Sequence, residues 1–112
     1  MGLAASQARY LILTARKSDL ELTGQSINQS RLQIANITND LFNVTTTLEP
    51  QSRAAIILQL RVSALQSVDK ALELQLRRVD SQREAITTEI ESVQKVIAKN
   101  IAGTFKTFST QG

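Results

Sequence analysis

The sequence predicts an all-α fold, an elongated antiparallel helical hairpin made of two long coiled-coil helices. Apolar residues recur every seven positions along two stretches, and the only proline lies between these stretches. A strict seven-residue repeat keeps one stripe of a helix facing a partner helix. One tyrosine and three phenylalanines are too few to anchor a compact globular core. We therefore expect a single helical-hairpin domain over residues 1–112, with helices at about 4–44 and 52–102.

The first repeat predicts the first helix. Six apolar residues follow one another at intervals of seven without interruption: Leu13, Leu20, Ile27, Ile34, Leu41 and Leu48. We expect the second seam position to lie three residues after each of these. That position is apolar only late in the helix, at Ile37 and Val44, because Arg16, Thr23 and Ser30 occupy it earlier. The early part of this seam therefore has apolar residues at only one of its two positions.

The segment 43–52 predicts the turn, at about residues 45–51. It contains Pro50 and a run of β-branched residues, which disfavour a continuous helix. Thr47 is the predicted N-cap of the second helix, with Pro50 in the first turn, and Ser52 is the alternative cap. Because the connection is short, the two helices must run antiparallel.

The second repeat predicts the second helix. Its apolar residues at intervals of seven are Leu58, Leu65, Leu72, Val79, Ile86 and Val93. Polar residues at 80–84 interrupt the wider apolar stripe. Gly103 either caps this helix near residue 102 or lies inside a helix that continues. The spacing of four, four and three from Ile97 through Ile101 and Phe105 to Phe108 is compatible with the second alternative, and our predicted bounds place the end at about residue 102.

The two ends of the chain are unusually apolar and predict self-association. The residues concerned are Leu3, Ala4, Ala5, Ala8, Leu11, Ile12, Ile97, Ile101, Phe105 and Phe108. An antiparallel hairpin brings both ends together, and two helices alone cannot bury faces this broad. We expect a homo-oligomer, which becomes an open filament if head-to-tail contacts do not close into a ring. The alternatives are a self-contained hairpin and a dimeric four-helix bundle.

The composition argues against catalysis and cofactors. Without His or Cys, the usual zinc, haem and iron–sulfur ligand sets and the Ser–His and Cys–His nucleophiles cannot be assembled. Isolated glycines form no phosphate-binding loop, and no carboxylate pair is placed for acid–base chemistry. We therefore predict that the protein is not an enzyme and binds no cofactor, metal ion or small-molecule substrate.

The charges give little indication of a nucleic-acid or membrane partner. The formal net charge is +3, but acids are interspersed with the bases, which is typical of a solvated helix face. Arg77, Arg78 and Arg83 are the nearest approach to a basic stripe, so nucleic-acid binding is not expected. The apolar run Tyr10 to Leu13 is too short for a signal-peptide core or a membrane span. Attachment of residues 1–15 to a membrane surface stays open as a third alternative.

One stretch resembles known filament subunits. Residues 32–39, Leu-Gln-Ile-Ala-Asn-Ile-Thr-Asn, followed by Val44 and two threonines, are similar to the signature in the N-terminal helix of flagellar rod and hook proteins. One asparagine of that signature is missing here, and no glycine follows the threonines. The matching positions are Ile34, Ala35, Asn36, Ile37 and Asn39. The plan of the chain also resembles type III secretion needle subunits, whose head turn is matched here by Glu49 and Pro50.

The resemblance to both families implies a function. It implies export through a dedicated secretion channel, without a cleavable signal peptide, and polymerisation into a hollow helical tube at the surface of a bacterium. We therefore expect a self-assembling structural subunit of an extracellular or cell-surface filament. The alternative is a cytoplasmic coiled-coil adaptor or regulator that binds a partner helix along its seam.

Overall fold

The chain folds as an all-α hairpin, which confirms the predicted fold class. The computed structural model describes the backbone of residues 2–111 and the side chains of residues 2–106. Helix α1 spans Leu3–Thr45 and helix α2 spans Arg53–Gln111. The described residues form no β-strand and no further helix. The two predicted helices and the short connection between them are thus present.

Threonines lie at the end of helix α1. The Thr45 hydroxyl donates to the Leu41 carbonyl at 2.8 Å, and the Thr47 hydroxyl donates to the Val44 carbonyl at 2.7 Å. The Val44 carbonyl also accepts the Thr47 N–H at 3.0 Å, and the Thr46 N–H donates to the Phe42 carbonyl at 3.1 Å. Side-chain bonds of this kind compete with the regular helix, and threonine has a low helix propensity, so the run of threonines favours an end of α1 here.

Ser52 is the N-cap of helix α2, so the prediction that Thr47 caps this helix is wrong. The Ala55 N–H donates to Ser52 Oγ at 3.1 Å, as an N-cap requires. The Ser52 N–H also donates to the Glu49 carbonyl at 3.0 Å. Pro50 therefore occupies the second position of a β-turn rather than the first turn of the helix, a position that its fixed φ favours.

Helix α2 is longer than expected, because the predicted end near residue 102 is wrong. The helix continues through Gly103 to Gln111. A glycine that ends a helix commonly has a positive φ, and no described glycine here has one. The helical spacing from Ile97 to Phe105 continues across Gly103, so the apolar pattern identified the outcome better than the glycine did.

The chain divides into two compact units, which we describe separately. The terminal unit consists of Met1–Leu22 and Asp80–Gly112, and the turn unit consists of Thr23–Val79. Each contains one piece of α1 and one of α2. The prediction of a single domain over residues 1–112 stays a prediction.

The terminal unit has a small apolar core. Leu13, Ile86 and Val93 are buried and form one cluster. The partly buried side chains that pack against this cluster are those of Tyr10, Leu20, Ile90 and Ile97. Since both helices contribute, the core holds the pieces of α1 and α2 together by apolar contact.

In the turn unit the side chains of the seam are less buried. Among the apolar residues, only Ile27 and Ala55 are buried. The heptad residues that are half-buried there are Ile34, Leu41, Leu48, Leu58, Leu65, Leu72 and Val79. All twelve residues of the two predicted repeats, which we call the ladder residues, are therefore buried or half-buried.

The second seam position of α1 lies four residues after a ladder residue, so the predicted register for it is wrong. The half-buried residues at this position in the turn unit are Gly24, Arg31, Thr38 and Thr45. Ile37 and Val44, which the sequence placed in the seam, are exposed instead. A heptad seam alternates steps of three and four, and both choices fit the ladder itself. The true second seam position carries no apolar residues in the turn unit, so the apolar pattern of the sequence did not identify it.

Candidate interaction surfaces

An ion pair occupies the seam of the turn unit. Arg31 lies four residues after Ile27, and Asp69 lies four residues after Leu65, so both occupy the second seam position. Arg31 Nε donates to Asp69 Oδ1 at 2.9 Å, and a second nitrogen, Nη2, donates to Oδ2 at 3.4 Å. The two side chains keep 29% and 37% of their surface exposed. This two-point contact fixes one register of α1 against α2.

The ion pair also changes the protonation of its carboxylate. The hydrogen bond from Arg31 and the charge of the guanidinium hold the pKa of Asp69 below its ordinary value, against the opposing effect of desolvation. The same hydrogen bond raises the pKa of Arg31. The pair therefore stays ionised at neutral pH, which a register-fixing contact requires.

The sequence contained a signal for this pair. Two opposite charges occupy the second seam position of two antiparallel repeats, and long side chains at such positions reach each other across the seam where the register brings them to the same level. The wrong choice of the second seam position concealed it, because that choice placed Arg31 outside the seam. The structure therefore reveals a residue pair that the sequence interpretation missed.

Positions beside the seam form two flanks. In the terminal unit, Arg9 and Glu89 lie three residues after a seam residue of their helix and make an ion pair at 3.3 Å. Positions of this kind on α1 and α2 thus lie on one side, which we call flank A. In the turn unit, flank A carries three exposed apolar residues, Ile37, Val44 and Val68. The ion pair of one unit is therefore replaced by apolar surface in the other.

The opposite side of the turn unit, which we call flank B, is also apolar in part. Its positions lie one residue after a ladder residue and include Ala35, Phe42 and Gln66. These three side chains line one shallow groove together with Ile34, Thr38, Asn39 and Asp69. Phe42 is exposed at its rim. Two apolar sites thus lie on opposite sides of the same unit.

The terminal unit has an unpartnered apolar face on α1. The exposed residues of this face are Ala4, Ala5, Ala8, Leu11, Ile12 and Ala15. Leu3 is half-buried, and Ser6 is fully buried on the inward side. The apolar N-terminal stretch therefore has one side packed in the unit and another open to a partner.

The C-terminal residues predicted for assembly lie in different surroundings. Ile97 packs against the core cluster, whereas Ile101 and Phe105 are exposed. The side chain of Phe108 lies outside the described residues. The assignment of these residues to an assembly contact stays a prediction.

The described residues offer no metal centre: no group of three or more His, Cys, Asp or Glu side chains in them could hold an ion. The described helices contain no stretch with the length and hydropathy that a membrane span requires.

The arginines named as a possible basic stripe are partly paired with acids of their own helix. Arg77 contacts Glu73 at 2.8 Å, and Arg83 contacts Asp80 at 3.6 Å.

The chain was compared with known protein families, characterised proteins and solved structures. No family model, no characterised protein and no solved structure matches it.

Proposed function

We propose that this protein is a structural subunit that self-assembles with other copies into a helical filament or tube. The observation that carries the proposal is the presence of exposed apolar side chains on both flanks of the turn unit. Flank A presents Ile37, Val44 and Val68, and flank B presents Phe42 beside a groove. Apolar surface on two opposite sides requires at least two neighbours to cover it.

Further exposed apolar residues extend these surfaces. In the turn unit they are Leu32, Ile56, Ile57, Leu60 and Leu74, and in the terminal unit the open face of α1 adds Leu11 and Ile12. The resemblance to flagellar rod and hook proteins and to needle subunits adds the expectation of export and an extracellular or cell-surface location. The assembly needs no cofactor, so purified protein should suffice to form it.

The size of the particles tests the proposal. Purified protein should form open-ended polymers under negative-stain electron microscopy, and sedimentation velocity should show species that grow with concentration. The cytoplasmic adaptor alternative predicts one dimer of fixed mass at all concentrations. A mass of about 25 kDa that does not change over a hundredfold dilution would refute the filament.

Variants of the two flanks sharpen the test. Ile37→Gln with Val68→Gln removes apolar surface from flank A, and Phe42→Gln removes it from flank B. If each flank binds its own counterpart, either change alone should stop growth at a dimer, and both together should give monomers. The matched control is Ser26→Gln, a polar change at an exposed position of the same helix. Unchanged polymers in both flank variants would contradict the assignment.

A further inference from the structure

The last part of α2 carries bases and no acid. Glu91 is the last acidic residue, and Lys95, Lys99 and Lys106 follow it. We call residues 92–106 the basic segment. The first eighteen residues of the chain also contain bases, Arg9 and Arg16 among them, and no acid. The chain thus has a basic, acid-free composition at both ends.

The basic segment is amphipathic. At about 100° per residue, the three lysines fall within roughly 40° of one another on the helix circumference. The residues Ile97, Ile101 and Phe105 lie about 180°, 140° and 100° from the centre of the three lysines, respectively. Since the structure keeps this stretch helical through Gly103, the separation of charge from apolar surface is preformed.

The apolar side of the segment lacks a cover near its end. Every described side chain from Ile101 to Lys106 is exposed, including Ile101 at 52% and Phe105 at 75%. Ile97, one turn earlier, packs against the core of the terminal unit. The helix therefore leaves its intramolecular packing and continues as a basic amphipathic surface.

Charge decides which partner this surface fits. Packing of two basic segments against each other would bring six lysines together without a carboxylate, so a homotypic contact is opposed by repulsion. A surface that combines cations with exposed aliphatic and aromatic side chains is typical of helices that lie in the interface of an anionic bilayer. The lysine stems are long enough to bring the charges to the headgroups while the apolar side chains enter the acyl boundary.

We propose that the basic segment docks on the surface of an anionic lipid bilayer. Ile101 and Phe105 enter the interface, and Lys95, Lys99 and Lys106 contact the negative headgroups. The helix is already formed, so docking requires no ordering of the backbone. This interaction is separate from the self-assembly proposed above, which uses the flanks of the turn unit.

Vesicle sedimentation of the full chain tests the proposal. Vesicles of phosphatidylcholine mixed with phosphatidylserine should bind the protein, and vesicles of phosphatidylcholine alone should not. Binding should weaken as salt rises, because the attraction of lysines to headgroups is screened. Phe105→Ser should reduce binding to the mixed vesicles at constant salt.

Charge variants identify the residues. Lys95→Gln and Lys99→Gln should each weaken binding by about fivefold, since a lysine near an anionic surface contributes about one factor of five in affinity. The matched control is Arg61→Gln with Lys70→Gln, which removes positive charge from exposed positions of the turn unit. This control should bind as the unaltered protein does.

The outcomes separate this proposal from self-assembly. Absence of binding, equal binding to both vesicle types, or equal weakening by the control pair would overturn it. Loss of polymers without lipid in Phe105→Ser would assign the segment to the contact between copies and would also overturn it. A protein that stays monomeric yet binds mixed vesicles would refute the filament and support the lipid surface.

Discussion

The terminal unit and the turn unit use the same two helices and the same heptad but fill it differently. In the terminal unit, Leu13, Ile86 and Val93 form a buried cluster, and an ion pair lies outside on flank A. In the turn unit, the Arg31–Asp69 ion pair lies inside the seam, and apolar residues lie outside on flank A. Polar and apolar side chains have exchanged places between the two units.

This exchange separates two tasks of a coiled-coil seam. Apolar burial stabilises the pairing of helices but allows neighbouring registers, since Leu, Ile and Val pack interchangeably. A polar pair in the seam contributes less stability and excludes registers that would leave its charges unpaired. Among the described side chains, nine of the fifteen exposed large apolar residues lie in the turn unit. We infer that the turn unit depends more on neighbours for its burial.

Truncation of the two seams should give the largest difference between the units. Leu13 is buried to 4% exposure, so Leu13→Ala should lower the free energy of unfolding by about 3 kcal/mol. Leu65 is only half-buried, so Leu65→Ala should cost about half as much. Urea unfolding followed by circular dichroism measures both values, at a concentration low enough to avoid polymers.

An equal loss in the free energy of unfolding for Leu13→Ala and Leu65→Ala would contradict the difference in burial between the two units. It would mean that the half-exposed seam of the turn unit is covered in solution. A repeat at higher protein concentration would then show whether other copies supply the cover, because assembly makes apparent stability depend on concentration.

The buried hydroxyl of Ser6 should give the next largest effect. Ser6 is fully buried in the terminal unit, and its Oγ has no hydrogen-bond partner there. An unsatisfied buried polar group is destabilising, so Ser6→Ala should raise the free energy of unfolding by about 1 kcal/mol. The control is Ser92→Ala at an exposed position of the same unit, which changes helix propensity alone. Equal gains in both variants would show that the Ser6 hydroxyl carries no penalty.

The success of the sequence-based predictions follows the strength of the local signal. The twelve ladder residues and the hairpin were predictable because an uninterrupted repeat of seven is typical of a coiled-coil seam and of few other structures. The second seam position was not, because Gly24, Arg31, Thr38 and Thr45 lack the apolar character by which a seam is identified. The N-cap was ambiguous because threonine and serine both cap helices, and the identity of these residues does not show at which of them the helix begins.

The surfaces were less predictable than the fold. The sequence predicted that the apolar surface for self-association lies at the chain ends. Leu11, Ile12, Ile101 and Phe105 are exposed there, and their part in assembly stays a prediction. The sequence offered no indication of flank A, because Ile37 and Val44 had been placed in the seam. A seam position and a flank position differ by one residue along the helix, so an error of one position placed the exposed residues Ile37 and Val44 in the predicted seam.

An effect of about the same size should come from the glycine in the seam of the turn unit. A Cβ added at Gly24 would lie 3.8 Å from both Leu76 Cδ1 and Val79 Cγ1, which is ordinary contact. Gly24→Ala should therefore raise the free energy of unfolding by about 1 kcal/mol, through helix propensity. Gly103 in the terminal unit has no atom within 4 Å of its added Cβ, and lies near the end of α2. Gly103→Ala should gain less, and a loss at Gly24 would show that close approach of the helices requires the glycine.

The smallest effect should be the pH dependence of the ion pair in the turn unit, because both side chains keep contact with water. The pKa of Asp69 is lower in the folded chain than in the unfolded chain, where an aspartate carboxyl has a pKa of about 4. The folded state therefore binds the proton less readily, and the stability contributed by the pair is complete above that pH. It is lost as the pH falls through the lower folded value.

The unaltered protein should thus be more stable than Asp69→Asn by a constant margin from pH 7 to about 5, and the margin should shrink at lower pH. Urea midpoints at several pH values measure this margin. In the background of Arg31→Gln, the same substitution should no longer give a pH-dependent difference, because the guanidinium that holds the carboxylate is gone. A margin that persists below about pH 2, or that is unaffected by Arg31→Gln, would mean that Asp69 stabilises the turn unit by packing rather than by charge. The register of its seam would then depend on the ladder residues alone.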